Sequence, residues 1–71
     1  MPIITVQMLE GRNAAQKRAL IEALADAAMR TLDAPEQSIR IVLTEVKPEH
    51  WGIGTRSKAD RDADALKKDD R

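Results

Sequence analysis

The chain has 71 residues, with 12 Lys+Arg against 12 Asp+Glu, no cysteine, one histidine and a single aromatic residue, Trp51. Balanced charge gives no electrostatic case for nucleic acid or an anionic membrane surface. Without cysteine there are no disulfides, and one histidine does not build a usual metal site, so neither metal nor cofactor is expected.

A domain this small buries only about 60% of its unfolded surface. With disulfides and metals excluded, a partner copy is the remaining source of stability, and a homo-oligomer is expected. No apolar run approaches the ~20 residues of a spanning helix. No basic n-region precedes the first apolar residues. A soluble cytoplasmic protein is the default expectation.

Ile3 to Leu9 is rich in β-branched residues, is bounded by Glu10-Gly11, and reads as a strand. Ile4, Val6 and Met8 share one face; Ile3, Thr5, Gln7 and Leu9 share the other. Gly11-Arg12 makes the turn. Asn13 is a good N-cap, with Gln16 in capping-box register. Ala14 to Leu32 then reads as a helix with a stripe of Leu20, Leu24, Ala27 and Ala28, widened by Ile21 and Leu32. Asp33-Ala34-Pro35 ends it.

Ser38 to Val46 reads as a second strand, with Ile39, Ile41 and Leu43 on one face and Ser38, Arg40, Val42 and Thr44 on the other. Two strands joined by one long helix form a βαβ unit with parallel strands and a right-handed crossover. Two strands do not make a stable sheet alone. A helix is expected to cover one face and another subunit the other. Lys47 to Gly54 is turn-rich and reads as a short hairpin or a loop. Residues 56–71 hold six basic and five acidic residues, with Leu66 as the one large apolar side chain. This segment is expected to be a solvated, largely disordered tail. The expected division is a βαβ domain over 1–55 and a tail over 56–71.

The chemistry centres on the start of the chain. Removal of Met1, usual before proline, would leave Pro2 with a free secondary amine. An ordinary α-amine titrates at ~7.7–8.0. A cyclic secondary amine starts higher, and burial or nearby positive charge lowers it toward the range that suits a general base near pH 7. Arg12 follows the first strand, and from Pro2 to Leu9 the chain advances ~23 Å. An arginine side chain is far shorter, so Arg12 can serve only the Pro2 of another subunit, as antiparallel pairing of first strands would allow. Arg40, near the start of the second strand, lies at the same end as Pro2. It needs an anion, either Glu10, Glu45 or a tail aspartate within the chain, or a ligand carboxylate held in its planar fork. Trp51 suits an interface lid or the wall of an apolar pocket. His50 reads as a surface residue. Gly52 and Gly54 lack the strand-to-helix context of a phosphate loop.

Taken together, Pro2, Leu9-Glu10-Gly11-Arg12, Leu32-Asp33-Ala34-Pro35, Ser38-Ile39-Arg40 and Trp51-Gly52-Ile53-Gly54 form a pattern. The chain resembles 4-oxalocrotonate tautomerase, the small-subunit group of the tautomerase superfamily, from Pro2 to about Gly54. The resemblance implies a βαβ subunit in a hexamer, a trimer of dimers. It implies that Pro2, once Met1 is removed, is the catalytic base and then the acid, with Arg12 and Arg40 supplied by neighbouring chains. Trp51 falls at the family's pocket aromatic, usually phenylalanine. Leu9 and Ile53 match apolar positions near the pocket, and Ser38 belongs with them as substrate-binding. The implied reaction is proton transfer in a small dienol or 2-oxo acid such as 2-hydroxymuconate.

Three features depart from the family pattern. Tryptophan adds bulk and an N–H donor to the pocket, Pro48-Glu49 stiffens and acidifies the turn before it, and the charged tail is longer than usual. Two other readings remain open at this point. One is water addition to an unsaturated acid, as in the related haloacrylate dehalogenases, with the amine protonated. The other is a non-catalytic binding subunit.

Overall fold

A computed structural model describes residues 2–69, with side chains through residue 65. Met1, whose removal is expected above, and the Leu66 side chain lie outside the described set. Strand β1 is Ile3–Leu9, helix α1 is Ala14–Leu32, strand β2 is Arg40–Val46, and a hairpin of β3, Gly52–Ile53, and β4, Arg56–Ser57, leads into helix α2, Lys58–Asp69. Single 3₁₀ turns precede β2 (Glu36–Ser38) and the hairpin (Pro48–His50).

Strands β1 and β2 pair in parallel, from Ile3 opposite Arg40 to Leu9 opposite Val46. The expected βαβ unit is therefore present. The second strand starts two residues later than expected. The Ser38 amide and hydroxyl both donate to the Pro35 carbonyl, at 3.0 and 2.7 Å, and this local turn takes Ser38 out of the ladder.

Helix α1 begins with the expected capping box. The Gln16 amide donates to Asn13 Oδ1 at 2.8 Å, and the Asn13 amide donates to Gln16 Oε1 at 3.1 Å. Both ends of the helix are built by local chemistry, since Asp33 takes the left-handed conformation at φ 53° and halts it. The alanines bring α1 close to the sheet, and Ala28 is buried beneath it at 5% exposure. Ile21 and Leu32, expected to widen the packed stripe, are instead exposed at 40% and 63%. The stripe that faces the two-stranded sheet is narrower than the apolar surface of the helix.

Alternation along the strands gives two unlike faces. Ile4, Val6, Met8, Ile41 and Leu43 are half-buried, whereas Ile3, Thr5, Gln7, Arg40, Val42 and Thr44 are exposed. Ile3 and Val42 on the bare face are 58% and 49% exposed. Among the described residues only Ala28 is fully buried as a hydrophobe. The Cα radius of gyration is 16.9 Å, against about 11 Å expected for a compact chain of this length. One chain therefore leaves Ile3, Ile21, Leu32, Val42 and Ile53 exposed, in keeping with the small core expected of a domain this size.

The hairpin turns on Gly54-Thr55. Gly54 has φ +64°, and such a positive φ at the first of two central residues suits a type II′ hairpin. This explains Gly54 without any phosphate. Residues 56–69, expected as a disordered tail, form β4 and α2. The Ser57 hydroxyl accepts from the Asp60 amide at 3.1 Å and caps α2, Lys58 pairs with Asp62 one turn on, and Arg56 pairs with Asp64. Composition predicted too little core for order here. The structure instead uses a cap, spaced charges and packing on the Pro48–His50 turn.

Candidate active site

The expected site residues fall into two groups at opposite ends of the β1–β2 ladder. Pro2 is half-buried at the start of β1, and its carbonyl accepts from the Arg40 amide at 3.0 Å. Ser38 and Arg40 are thus at the Pro2 end. Leu9 closes the other end opposite Val46, and the Glu10 amide donates to the Val46 carbonyl at 3.0 Å. Arg12 lies just beyond, its Nη1 donating to the Leu9 carbonyl at 3.4 Å. The chain also leaves β2 at this end, toward Trp51 and Ile53. Strand rise separates the two groups by roughly 20 Å. No single chain brings Pro2, Arg12 and Trp51 together.

Arg40 has its own topological constraint. It pairs opposite Ile3 and lies on the bare face, whereas alternation groups Pro2 with the helix-covered residues. Its Nη1 donates to the carbonyls of Gln37 and Ile39 at 2.6 and 3.2 Å. The shared end of the ladder therefore does not deliver the Arg40 guanidinium to its own Pro2.

Two of the candidate carboxylates within the chain are taken by other cations. Glu45 meets Lys17 at 2.9 Å, and Asp64 meets Arg56. Among the described residues neither Arg12 nor Arg40 has a carboxylate partner. Among the described residues both guanidiniums bond backbone carbonyls, which satisfy donors without compensating the charge.

The turn that presents Arg12 depends on Gly11, whose φ of +127° is a conformation that side-chain-bearing residues rarely adopt. The Asn13–Gln16 box and the Lys17–Glu45 pair then fix the start of α1 against the end of β2. The Lys17–Glu45 pair is not legible in the sequence, since its partners are 28 residues apart. Trp51 is half-buried, and its carbonyl accepts from the Lys58 amide at 2.7 Å. The exposed His50 donates its amide to the Lys47 carbonyl at 2.8 Å, within the 3₁₀ turn. Ile53 is 38% exposed. A shallow depression of about 290 Å³, lined by Arg56, Arg61, Asp64 and Ala65, contains none of the expected site residues. No described helix is long and apolar enough to cross a membrane.

A parallel βαβ unit with a C-terminal hairpin, carrying half-buried Pro2 at one end of its ladder and Arg12 beyond the other, is the subunit architecture of a class of small isomerases. The family model described as tautomerase enzyme matches residues 2–61, six residues past the expected domain edge at 55. The 2-hydroxymuconate tautomerase of Pseudomonas putida is 48% identical over 54 residues, covering 76% of this chain and 86% of its own. Among solved structures, TomN, a 4-oxalocrotonate tautomerase homologue in the tomaymycin biosynthetic pathway, matches with a TM-score of 0.85 and 45% identity. That match covers 87% of this chain and 95% of TomN. A heterohexamer 4-oxalocrotonate tautomerase from Chloroflexus aurantiacus matches with a TM-score of 0.79 and 41% identity, over 83% and 95% of the two chains. The chain belongs to the tautomerase family, in its 4-oxalocrotonate tautomerase-like group. It is an isomerase.

Proposed function

We propose that the enzyme moves a proton along a small dienol or 2-oxo acid carrying one or two carboxylates, such as 2-hydroxymuconate, with Pro2 as base and then acid. The reading rests on one observation above all: Arg12 and Arg40 have no carboxylate within the described chain, which suits them to a carboxylate on a ligand.

In this mechanism Met1 has been removed and the Pro2 amine is neutral. Its lone pair takes the proton of the 2-hydroxyl group. The oxygen electrons form the 2-oxo group, the double bonds shift, and the prolinium N–H returns the same proton to a distant carbon. The amine ends neutral, and no external proton or electron is consumed. Arg40 holds the 1-carboxylate and the developing 2-oxo group. Arg12 holds the far carboxylate and draws electron density toward it. Charge placed in a dry site contributes several kcal/mol to barrier lowering. The arginines also disfavour the protonated amine by like-charge repulsion. Trp51, with Leu9, Ser38 and Ile53, lines the substrate pocket and excludes water.

The two separated groups make oligomerisation part of this chemistry. Antiparallel association of β1 strands brings the Pro2 end of one chain to the Arg12–Trp51 end of its partner. Arg40 arrives from a further chain. A homohexamer built as a trimer of dimers satisfies both requirements and covers the bare sheet face. The P. putida relative's name supports the substrate class, and the pathway of TomN allows a biosynthetic setting as readily as a degradative one. The decisive assay follows the absorbance of 2-hydroxymuconate. Wild-type protein ketonises it, Pro2→Ala loses most of the rate, and a near wild-type rate in that variant overturns the base assignment.

A further inference from the structure

Helix α2 extends eight residues beyond the region matched by the family model, and it is tied to the segment that carries Trp51. Three links make the connection. The Lys58 amide donates to the Trp51 carbonyl at 2.7 Å. Ile53 lies directly opposite Arg56 in the hairpin, and Gly52 opposite Ser57. Arg56 then reaches forward to α2, pairing with the Asp64 carboxylate and donating from Nη2 to the Asp60 carbonyl at 3.5 Å. Ser57 caps the helix through the Asp60 amide at 3.1 Å, and Lys58 pairs with Asp62. Helix α2 also packs on the Pro48–His50 turn immediately before Trp51. The helix therefore meets the Trp51 segment from both sides, through the turn before it and the strand after it.

We propose that α2 is a positioning brace for the pocket wall, with the Lys58 N–H and the Arg56–Asp64 pair as its two fixings. Both fixings act through Trp51 and Ile53 and touch no substrate. Asp64 lies past the family match, so this chain braces its pocket wall with a residue outside the region the family model covers. A wall residue held in place governs how tightly a small acid binds, since displacement by about an ångström weakens the productive pose. The inference rests on the reading of Trp51 as pocket wall, and its test separates the two.

The test uses the full-length protein and the N1 position of α2. Lys58→Pro removes the amide that donates to Trp51 and keeps the helix, because proline is well accepted at the first helical position. Ser57 is already extended, as a residue before proline must be. Lys58→Gln keeps the amide and loses only the Asp62 pair. Arg56→Asp, Asp64→Arg and their combination test the second fixing by charge reversal. Trp51 is the only aromatic residue, so its fluorescence quenching by acrylamide reports this segment alone. Lys58→Pro is expected to raise Trp51 quenching and to raise KM for 2-hydroxymuconate by about tenfold with kcat little changed. Lys58→Gln stays near wild type in both. The single charge reversals raise KM by roughly two- to fivefold, and the combination restores it. Trp51→Ala supplies the reference. If Trp51→Ala raises KM while Lys58→Pro leaves quenching and KM unchanged, the brace is wrong and the pocket stands. If Trp51→Ala leaves KM unchanged, the pocket assignment fails, and the brace then fails as a specificity device whatever the quenching shows. Equal KM effects from Lys58→Gln and Lys58→Pro also overturn it, because the side chain rather than the amide would then be responsible.

Discussion

The base role proposed for Pro2 requires its nitrogen to be free and neutral, and each condition has its own measurement. Intact-mass analysis of purified protein is expected to give a mature chain lighter by one methionine residue. The rate of ketonisation is expected to rise with pH through the amine pKa, since the protonated form holds no lone pair. A rate that falls across that range would favour the water-addition reading, in which the amine must carry its proton. The same logic separates the two arginines. Arg12→Ala is expected to damage turnover of a diacid such as 2-hydroxymuconate more than that of a monoacid such as phenylenolpyruvate, because Arg12 is assigned to the far carboxylate. Equal losses on both substrates would remove that role.

At the scale of elements, the turn from β1 into α1 carries the heaviest local demands. Gly11 at φ +127° admits no side chain without strain. Gly11→Ala is expected to cost about 1–3 kcal/mol in denaturant unfolding and to shift Arg12 with the turn. Loss of the cap in Asn13→Ala is expected to cost about 1 kcal/mol without altering the substrate preference. A larger effect of Asn13→Ala than of Gly11→Ala would reverse this account of the turn. These features were legible in the sequence because each is local: a β-branched run, a cap with its glutamine three residues on, a proline after the helix. The start of β2 was less legible, since Ser38 fits a strand by alternation and leaves it through two hydrogen bonds to Pro35. Residues 56–69 were misread for a related reason. Their composition offers no core, but the Ser57 cap, the Lys58–Asp62 spacing and the contact with the Pro48–His50 turn order them. The cap and the spacing are visible in the sequence; the turn they rest on is known only once the chain is folded.

For the whole molecule the sheet geometry sets the terms. Ile3 and Val42 stand on a face that one chain does not cover, and the chain's radius of gyration of 16.9 Å exceeds the roughly 11 Å of a compact domain of this length. The candidate site divides in the same way, with Pro2 at one end of β1 and Arg12 and Trp51 beyond the other. The separation of Arg12 from its own Pro2 is legible in the sequence, because strand rise alone excludes their contact. The separation of Arg40 is not, since it depends on the parallel register that puts Arg40 opposite Ile3. Mixing inactive variants measures the division directly. Pro2→Ala and Arg12→Ala proteins, unfolded together and refolded, are expected to recover up to about a quarter of wild-type activity, the share of sites that random mixing leaves intact when the two residues come from different chains. A mixture as inactive as its two components, with mixed oligomers present by native mass, would contradict the shared site.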